Sequence, residues 1–161
     1  MIKRVWFSLL ALTLALSFTT PVLALSPDDP VGSMTVKYKV GESYVCVIPE
    51  NVDLNTWGIY RTVGAEGVLL ADGKTLVVTV SSENYQSALG HCVHYAGSYI
   101  PYSMQVGERL LSANGDTVLS IPSGTKTGEA KVKFFTTWEN IDMATKAGDH
   151  TDILTFSFAI H

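Results

Sequence analysis

The chain has 161 residues, of which 11 are Lys or Arg and 15 are Asp or Glu, giving a formal net charge of −4. Its basic residues are scattered, without a block and without aromatic interleaving, which argues against nucleic acid or an anionic membrane surface as partner. That length suits one domain able to bury a sizeable core.

The N-terminus reads as a secretory signal peptide over residues 1–24. Lys3 and Arg4 form a positive n-region, Val5 to Phe18 is an almost unbroken apolar run, and Val22-Leu23-Ala24 offers small residues to a signal peptidase. The run is shorter than the roughly 20 residues needed to span a bilayer. Cleavage after Ala24 and a secreted product with no membrane insertion are therefore expected, a retained anchor being the alternative. Residues 25–33, with Pro27, Asp28, Asp29, Pro30 and Gly32, read as a flexible leader. Residues 34–161 read as one domain.

Strand patterns then follow one another. Thr35 to Val40 alternates, with Val36, Tyr38 and Val40 on one face and Lys37 and Lys39 on the other. Outward lysines on a first strand are a way of guarding a sheet edge. Tyr44 to Ile48 is apolar on both faces and stops at Pro49. Trp57 to Val63 is a weaker candidate. Val68-Leu69-Leu70 and Thr75 to Ser81 flank the tight-turn sequence Ala71-Asp72-Gly73-Lys74 and read as a hairpin. Ser82 to Gly97 is the least regular section. Tyr99 to Val106 reads as a strand that Pro101 confines to an edge or a bulge. Glu108 to Ser112 and Thr117 to Ile121 are short strands on either side of Asn114-Gly115-Asp116. Gly128 to Trp138 puts Ala130, Val132, Phe134, Thr136 and Trp138 on one face, and Glu139 to Lys146 has room for one helical turn. The chain closes on Leu154 to Ile160, with Leu154, Phe156, Phe158 and Ile160 facing one way and Thr155, Ser157 and Ala159 the other. Roughly eight short strands spaced by turn residues, without helical periodicity, indicate an all-β antiparallel sandwich, a barrel being the alternative.

Three stretches carry a resemblance. Tyr44-Val-Cys-Val-Ile-Pro-Glu-Asn-Val-Asp-Leu54 resembles the opening Y-x-V-x-I-P-x-x-V-x-L of small exported β-sandwich proteins common in Gram-positive gut bacteria. Asp72 to Ser81 is similar to their central hairpin. Ala147-Gly-Asp-His-Thr-Asp-Ile-Leu-Thr-Phe156 is similar to their closing A-G-x-Y-T-D-x-L-T-F, with His150 where an aromatic is usual. A like ending closes spore-coat-U and fimbrial adhesin domains. The resemblance implies an Ig-like or pilin-like surface protein of about 7–9 strands and names no ligand. The cysteine pair departs from the Gram-positive pattern, so a bridge rests on chemistry alone. Cys46 and Cys92 would meet an oxidising compartment after export, and a disulfide between them is expected to stabilise by roughly 4 kcal/mol in the chain-entropy model. Two buried free thiols are the alternative.

Residues that suggest chemistry are few. Asp149, His150 and Asp152 gather in one turn, where Asx side chains serve a turn as well as they would serve acid–base work. His91, Cys92 and His94 have the donor types of a zinc site but lack a complementary pair nearby, so no metal is expected. A Cys92 nucleophile would need a free, activated thiol. No serine elbow, phosphate cradle or calcium loop is present in the sequence, and no cofactor is expected. Trp57, Tyr95, Tyr99 and Tyr102 form a candidate binding face for a protein or glycan, since loop aromatics bury large area at low entropic cost.

The reading that results is a secreted surface or matrix structural protein, adhesin-like, acting by binding or self-assembly rather than as an enzyme. Val36, Tyr38 and Val40 are candidates for strand exchange with a second copy, against pairing within their own domain. A secreted carbohydrate-binding module or small hydrolase is the alternative. The C-terminal sequence carries no Leu-Pro-x-Thr-Gly sorting signal, so covalent cell-wall attachment is not expected.

Overall fold

A computed structural model describes residues 35–161. The expected signal peptide and leader, residues 1–33, lie outside the described residues, as does Met34. Gly41–His161 forms one compact unit, and Thr35–Val40 lies outside it.

The strand expected over Thr35–Val40 is not formed. The segment makes no β pairing, and Val36, Tyr38 and Val40 are 80%, 81% and 62% exposed. An alternating sequence gains a stable strand only by pairing with a sheet, and Gly41-Glu42 separates this one from the strand that follows.

Ten antiparallel strands and one helical turn make up the rest. They are β1 (Ser43–Val47), β2 (Ile59–Leu69), β3 (Thr75–Ser82), β4 (Cys92–Tyr95), β5 (Ser98–Pro101), β6 (Ser103–Val106), β7 (Arg109–Leu111), β8 (Asp116–Pro122), β9 (Gly128–Phe135), α1 (Trp138–Ile141) and β10 (Leu154–Ile160). Sheet A has the order β1-β2-β9-β6-β7 and sheet B the order β10-β3-β8, while β4 and β5 form a separate hairpin. No helix among the described residues is long and apolar enough to cross a membrane.

The two sheets meet over a common core. Val63 of β2, Met104 of β6, and Ala130, Val132 and Phe134 of β9 pack with Val78 and Val80 of β3 and Val118 of β8. A second cluster joins Ala65 and Val68 to Leu76 and Ile121. Each such side chain, fully buried, contributes about 1.5–3 kcal/mol. Alternation dictates who enters: along β3, Leu76, Val78, Val80 and Ser82 are buried and their neighbours are only half-buried.

Several expected elements take other forms. Most of Trp57–Val63 and of Val68–Leu70 falls in one strand, β2, which starts at Ile59 and ends at Leu69, because Gly67 absorbs a bulge. Its φ is +59°, and the register with β1 shifts between Ser43 and Val45. The Ala71–Lys74 turn does not close a hairpin. Lys74 N donates to Ala71 O at 3.1 Å, so the turn is tight, but both edges of β3 are taken by β10 and β8. The turn instead carries the chain from sheet A to sheet B, which lets the apolar faces of β2 and β3 confront each other. The run Tyr99–Val106 is cut at Tyr102, whose backbone N–H donates to His91 O at 2.9 Å. Pro101, lacking an N–H, ends β5, and β6 pairs away with β7 and β9. Ala130, Val132, Phe134 and Thr136 face inward as expected, whereas Trp138 opens α1 and is 70% exposed.

The expected disulfide is not formed: Cys46 and Cys92 are both free thiols. Cys46 pairs with Ala65 in β1 at an edge of sheet A, and Cys92 opens the separate β4–β5 hairpin. Each fills a core-side position as a small hydrophobe. Cys92 is wholly buried and its thiol donates to Gly90 O at 3.6 Å, while Cys46 is half-buried.

Candidate binding cleft

β10 pairs only with β3 among the described residues, so its other edge is open. At the last part of β10, Tyr44 of β1 reaches across: its ring stacks on Phe158 with centroids 6.1 Å apart, and its hydroxyl donates to Phe158 O at 3.3 Å. β1 ends at Val47, just before Pro49. A cleft of about 930 Å³ lies between Ile48–Leu54 and the first half of β10.

Its walls follow from strand alternation. Leu154 and Phe156 come from β10, Phe134 from β9, Val93 and Ile100 from the β4–β5 hairpin, and Val52 and Leu54 from the loop after β1. The rim is acidic: Glu50, Asp53 and Asp149 are exposed there, with His150 beside them, and none of the lining residues is Lys or Arg. Arg61 approaches the loop, but its Nε donates to Asn51 O at 3.2 Å and its Nη1 to Tyr60 O at 3.0 Å.

Asp152 anchors one end of the cleft. Its Oδ2 accepts from the Tyr102 hydroxyl at 2.6 Å and the Ser82 hydroxyl at 2.7 Å. Its Oδ1 accepts from the backbone N–H groups of Asn84 at 3.1 Å and Ile153 at 2.8 Å, and from Asn84 Nδ2 at 3.3 Å. Five donors commit the carboxylate to holding the head of β10. Burial, and then the hydrogen bond and charge of Asp152, push the Tyr102 hydroxyl well above the usual phenol range.

His150, in the same turn, is also held by hydrogen bonds, while Asp149 is exposed on the rim. His150 Nδ1 approaches Gly148 O at 3.1 Å and its Nε2 approaches the Ser98 hydroxyl at 3.0 Å. The Tyr95 ring lies 5.7 Å from that imidazole and fills the space above Gly148, where a Cβ would collide with it. Gly148 holds φ at +150°, so a side chain is disfavoured twice.

His91, Cys92 and His94 each turn to a different partner. His91 is 2% exposed, and its Nε2 donates to Leu111 O at 3.1 Å. That assignment leaves Nδ1 as an acceptor, buried and without a partner. Tyr85 and Tyr102 pack against the ring, with centroids at 5.3 and 5.9 Å. Burial lowers the His91 pKa, partly offset by the Leu111 carbonyl and by Asp152 and Asp116. His94 Nε2 accepts from Gly97 N at 2.9 Å, and its ring stacks on Tyr99 at 4.5 Å. Among the described residues no group of three or more His, Cys, Asp or Glu is arranged to hold a metal ion.

The four aromatics expected to share a binding face occupy different places. Tyr102 is 5% exposed and floors the cleft. Tyr95 and Tyr99 lie on the β4–β5 hairpin, and Trp57, 88% exposed, stands on the turn before β2. The acidic rim and the Asp152 clamp escaped sequence reasoning. Apart from the adjacent Ile153, the partners of Asp152 lie 50 to 70 positions away along the chain, and no local spacing announces such a contact. A scan of protein-family models and a search of curated proteins with this sequence return no match.

Proposed function

We propose that the protein is an exported surface or extracellular-matrix structural protein of adhesin-like character, which acts by self-association. The Thr35–Val40 segment of one copy adds as a strand beside β10 of another, seating Val36, Tyr38 and Val40 in the cleft. The observation that carries this reading is a match of two surfaces. The segment presents three apolar side chains 62–81% exposed, alternating with Lys37 and Lys39. The cleft offers an apolar floor, an open strand edge and a rim of Glu50, Asp53 and Asp149. Main-chain pairing to the open edge supplies affinity, and alternate side chains supply register. The likeness of the closing sequence to fimbrial adhesin domains, and the signal-peptide-like N-terminus, favour the same reading.

Light scattering coupled to size-exclusion chromatography tests it. The protein should form dimers or longer chains as its concentration rises, and Tyr38→Asp should return it to a monomer without changing its circular dichroism. A strictly monomeric protein at every accessible concentration would overturn the proposal.

A further inference from the structure

A second surface lies on the face of sheet A turned away from the core. Along β9 the side chains alternate, so Lys131, Lys133 and Phe135 take the outer face while Ala130, Val132 and Phe134 are buried. β9 is the middle strand of sheet A. Lysines on an edge strand deter edge-to-edge pairing, but a middle strand has no edge to guard. Neither lysine faces an acid across the sheet. Lys133 stands between Tyr60 and Gln105, and Lys131 opposite Thr62. Glu129 is the next outward residue of β9 beyond Lys131, level with Gly64, so Lys133 is the lysine farther from a carboxylate on this strand.

Two large aromatics are exposed beside this pair, Trp57 at 88% and Tyr60, directly opposite Lys133, at 60%, while Trp138, 70% exposed, opens α1. Backbone contacts fix the two tryptophans at the same end of the sheet. Thr136 N donates to Asn55 O at 3.2 Å, and Asn55 Oδ1 accepts from Trp57 N at 3.1 Å and Gly58 N at 2.8 Å. The Thr137 hydroxyl caps the helical turn that begins at Trp138. Lys133 is positioned as well. Its ammonium lies 4.9 Å from the Phe135 ring centroid, and its stem passes Gly58 where any Cβ would collide with it.

We propose that this face binds an acidic polysaccharide. Sugar rings lie against Trp57, Tyr60 and Trp138, and uronate carboxylates meet Lys131 and Lys133, which stand about 7 Å apart along the strand. Charge complementarity selects the occupant. Exposed aromatic rings alone would suit any sugar, but two cations on the middle strand, unpaired among the described residues, select a ligand with spaced negative charge. Nucleic acid is disfavoured because two lysines neutralise too few of its closely spaced phosphates to hold it. This inference stands independently of self-association, because the outer face of β9 contributes nothing to the cleft.

Native affinity electrophoresis of the full chain through gels containing polygalacturonate, dextran or single-stranded DNA tests it. Polygalacturonate should retard the protein, salt should weaken the retardation, and dextran and DNA should leave mobility unchanged. Lys133→Gln, Lys131→Gln and Trp57→Ala should each weaken binding at least about tenfold, or about 1.4 kcal/mol. These residues are exposed or outward-facing, so the variants should keep the parent melting temperature. Thr155→Ala, on the exposed side of β10, should bind like the parent. Equal retardation by dextran, retardation by DNA alone, no retardation, or full binding by the Lys133 and Trp57 variants would each overturn the proposal.

Discussion

The Tyr102 hydroxyl donates to Asp152 Oδ2 at 2.6 Å, tying the break between β5 and β6 to the residues that lead into β10. Tyr102 belongs neither to sheet A nor to the hairpin before it, so its side chain rather than its backbone makes the connection. A hydrogen bond to a charged group contributes about 1.5–3 kcal/mol, and Tyr102→Phe should cost that much with the fold retained. Asp152→Ala removes the acceptor for five donors at once and should cost more, about 3–5 kcal/mol. Urea midpoints for the two variants check the order. Equal losses would mean that Tyr102 is the only partner that matters.

The same pair gives an alkaline signature. The folded-state pKa of Tyr102 is raised, so its contribution to stability is fully present below the usual tyrosine pKa of about 10 and is lost as pH rises above it. In a spectrophotometric titration one of the 7 tyrosines should stay protonated until the protein unfolds. Tyr102→Phe should abolish that late step and leave the earlier ones in place.

Much of this architecture was legible because alternation is a local signal. Leu154, Phe156, Phe158 and Ile160 could be assigned to one face from spacing alone, as could Ala130, Val132 and Phe134, and the structure turns each set inward. What spacing cannot express is which strand lies next to which. The Ala71–Lys74 turn has hairpin chemistry yet connects two sheets, because the partners of β3 are set by β8 and β10, far along the chain. Thr35–Val40 has strand chemistry and no strand beside it. The cleft was hidden for the same reason, being made of Ile48–Leu54, Phe134 and Leu154, which only the tertiary fold brings together. The Cys46–Cys92 pairing rested on compartment and an even count, neither of which measures distance.

His91 makes stability sensitive to acid. Its folded-state pKa lies below the usual value of about 6.5, so the neutral imidazole's contribution is fully present above that value and is lost as pH falls toward the lowered one. Protonation would put a second N–H at Nδ1, which has no hydrogen-bond partner among the described residues. The denaturant midpoint should therefore fall between neutral pH and about pH 5. His91→Gln can still donate to Leu111 O but does not titrate, so its midpoint should fall less over that interval. Parallel curves for the parent and the variant would exclude His91 as the source.

Gly64 of β2 pairs with Glu129 of β9. A Cβ built there would collide with the Gly128 carbonyl and press on the Glu129 backbone, neither of which is a flexible side-chain end. Gly64→Ala must therefore push two paired strands apart at the Gly64–Glu129 register position. Overpacking of this kind costs about 1–3 kcal/mol. Gly73→Ala, in the open Ala71–Lys74 turn, meets nothing and should lose only what its φ of +77° demands, about 1 kcal/mol. Thermal melts of the two variants should rank Gly64→Ala as the more damaging, and the reverse order would mean that the sheet relaxes at this point.

The two thiols make the last prediction. Burial raises the pKa of both, so little reactive thiolate exists at neutral pH. Cys92 is wholly enclosed, with Asp152 raising it further, whereas Cys46 is half-buried on an edge strand. Native protein treated with iodoacetamide should label slowly at Cys46 and not at Cys92, and denatured protein should label at both without prior reduction. The Asp152→Ala variant loosens the head of β10 and should speed labelling of Cys92 more than that of Cys46. Peptide mass mapping reads each site separately. Denatured protein that labels only after reduction would show that the two cysteines are bridged and that the free-thiol arrangement is not the one the protein adopts.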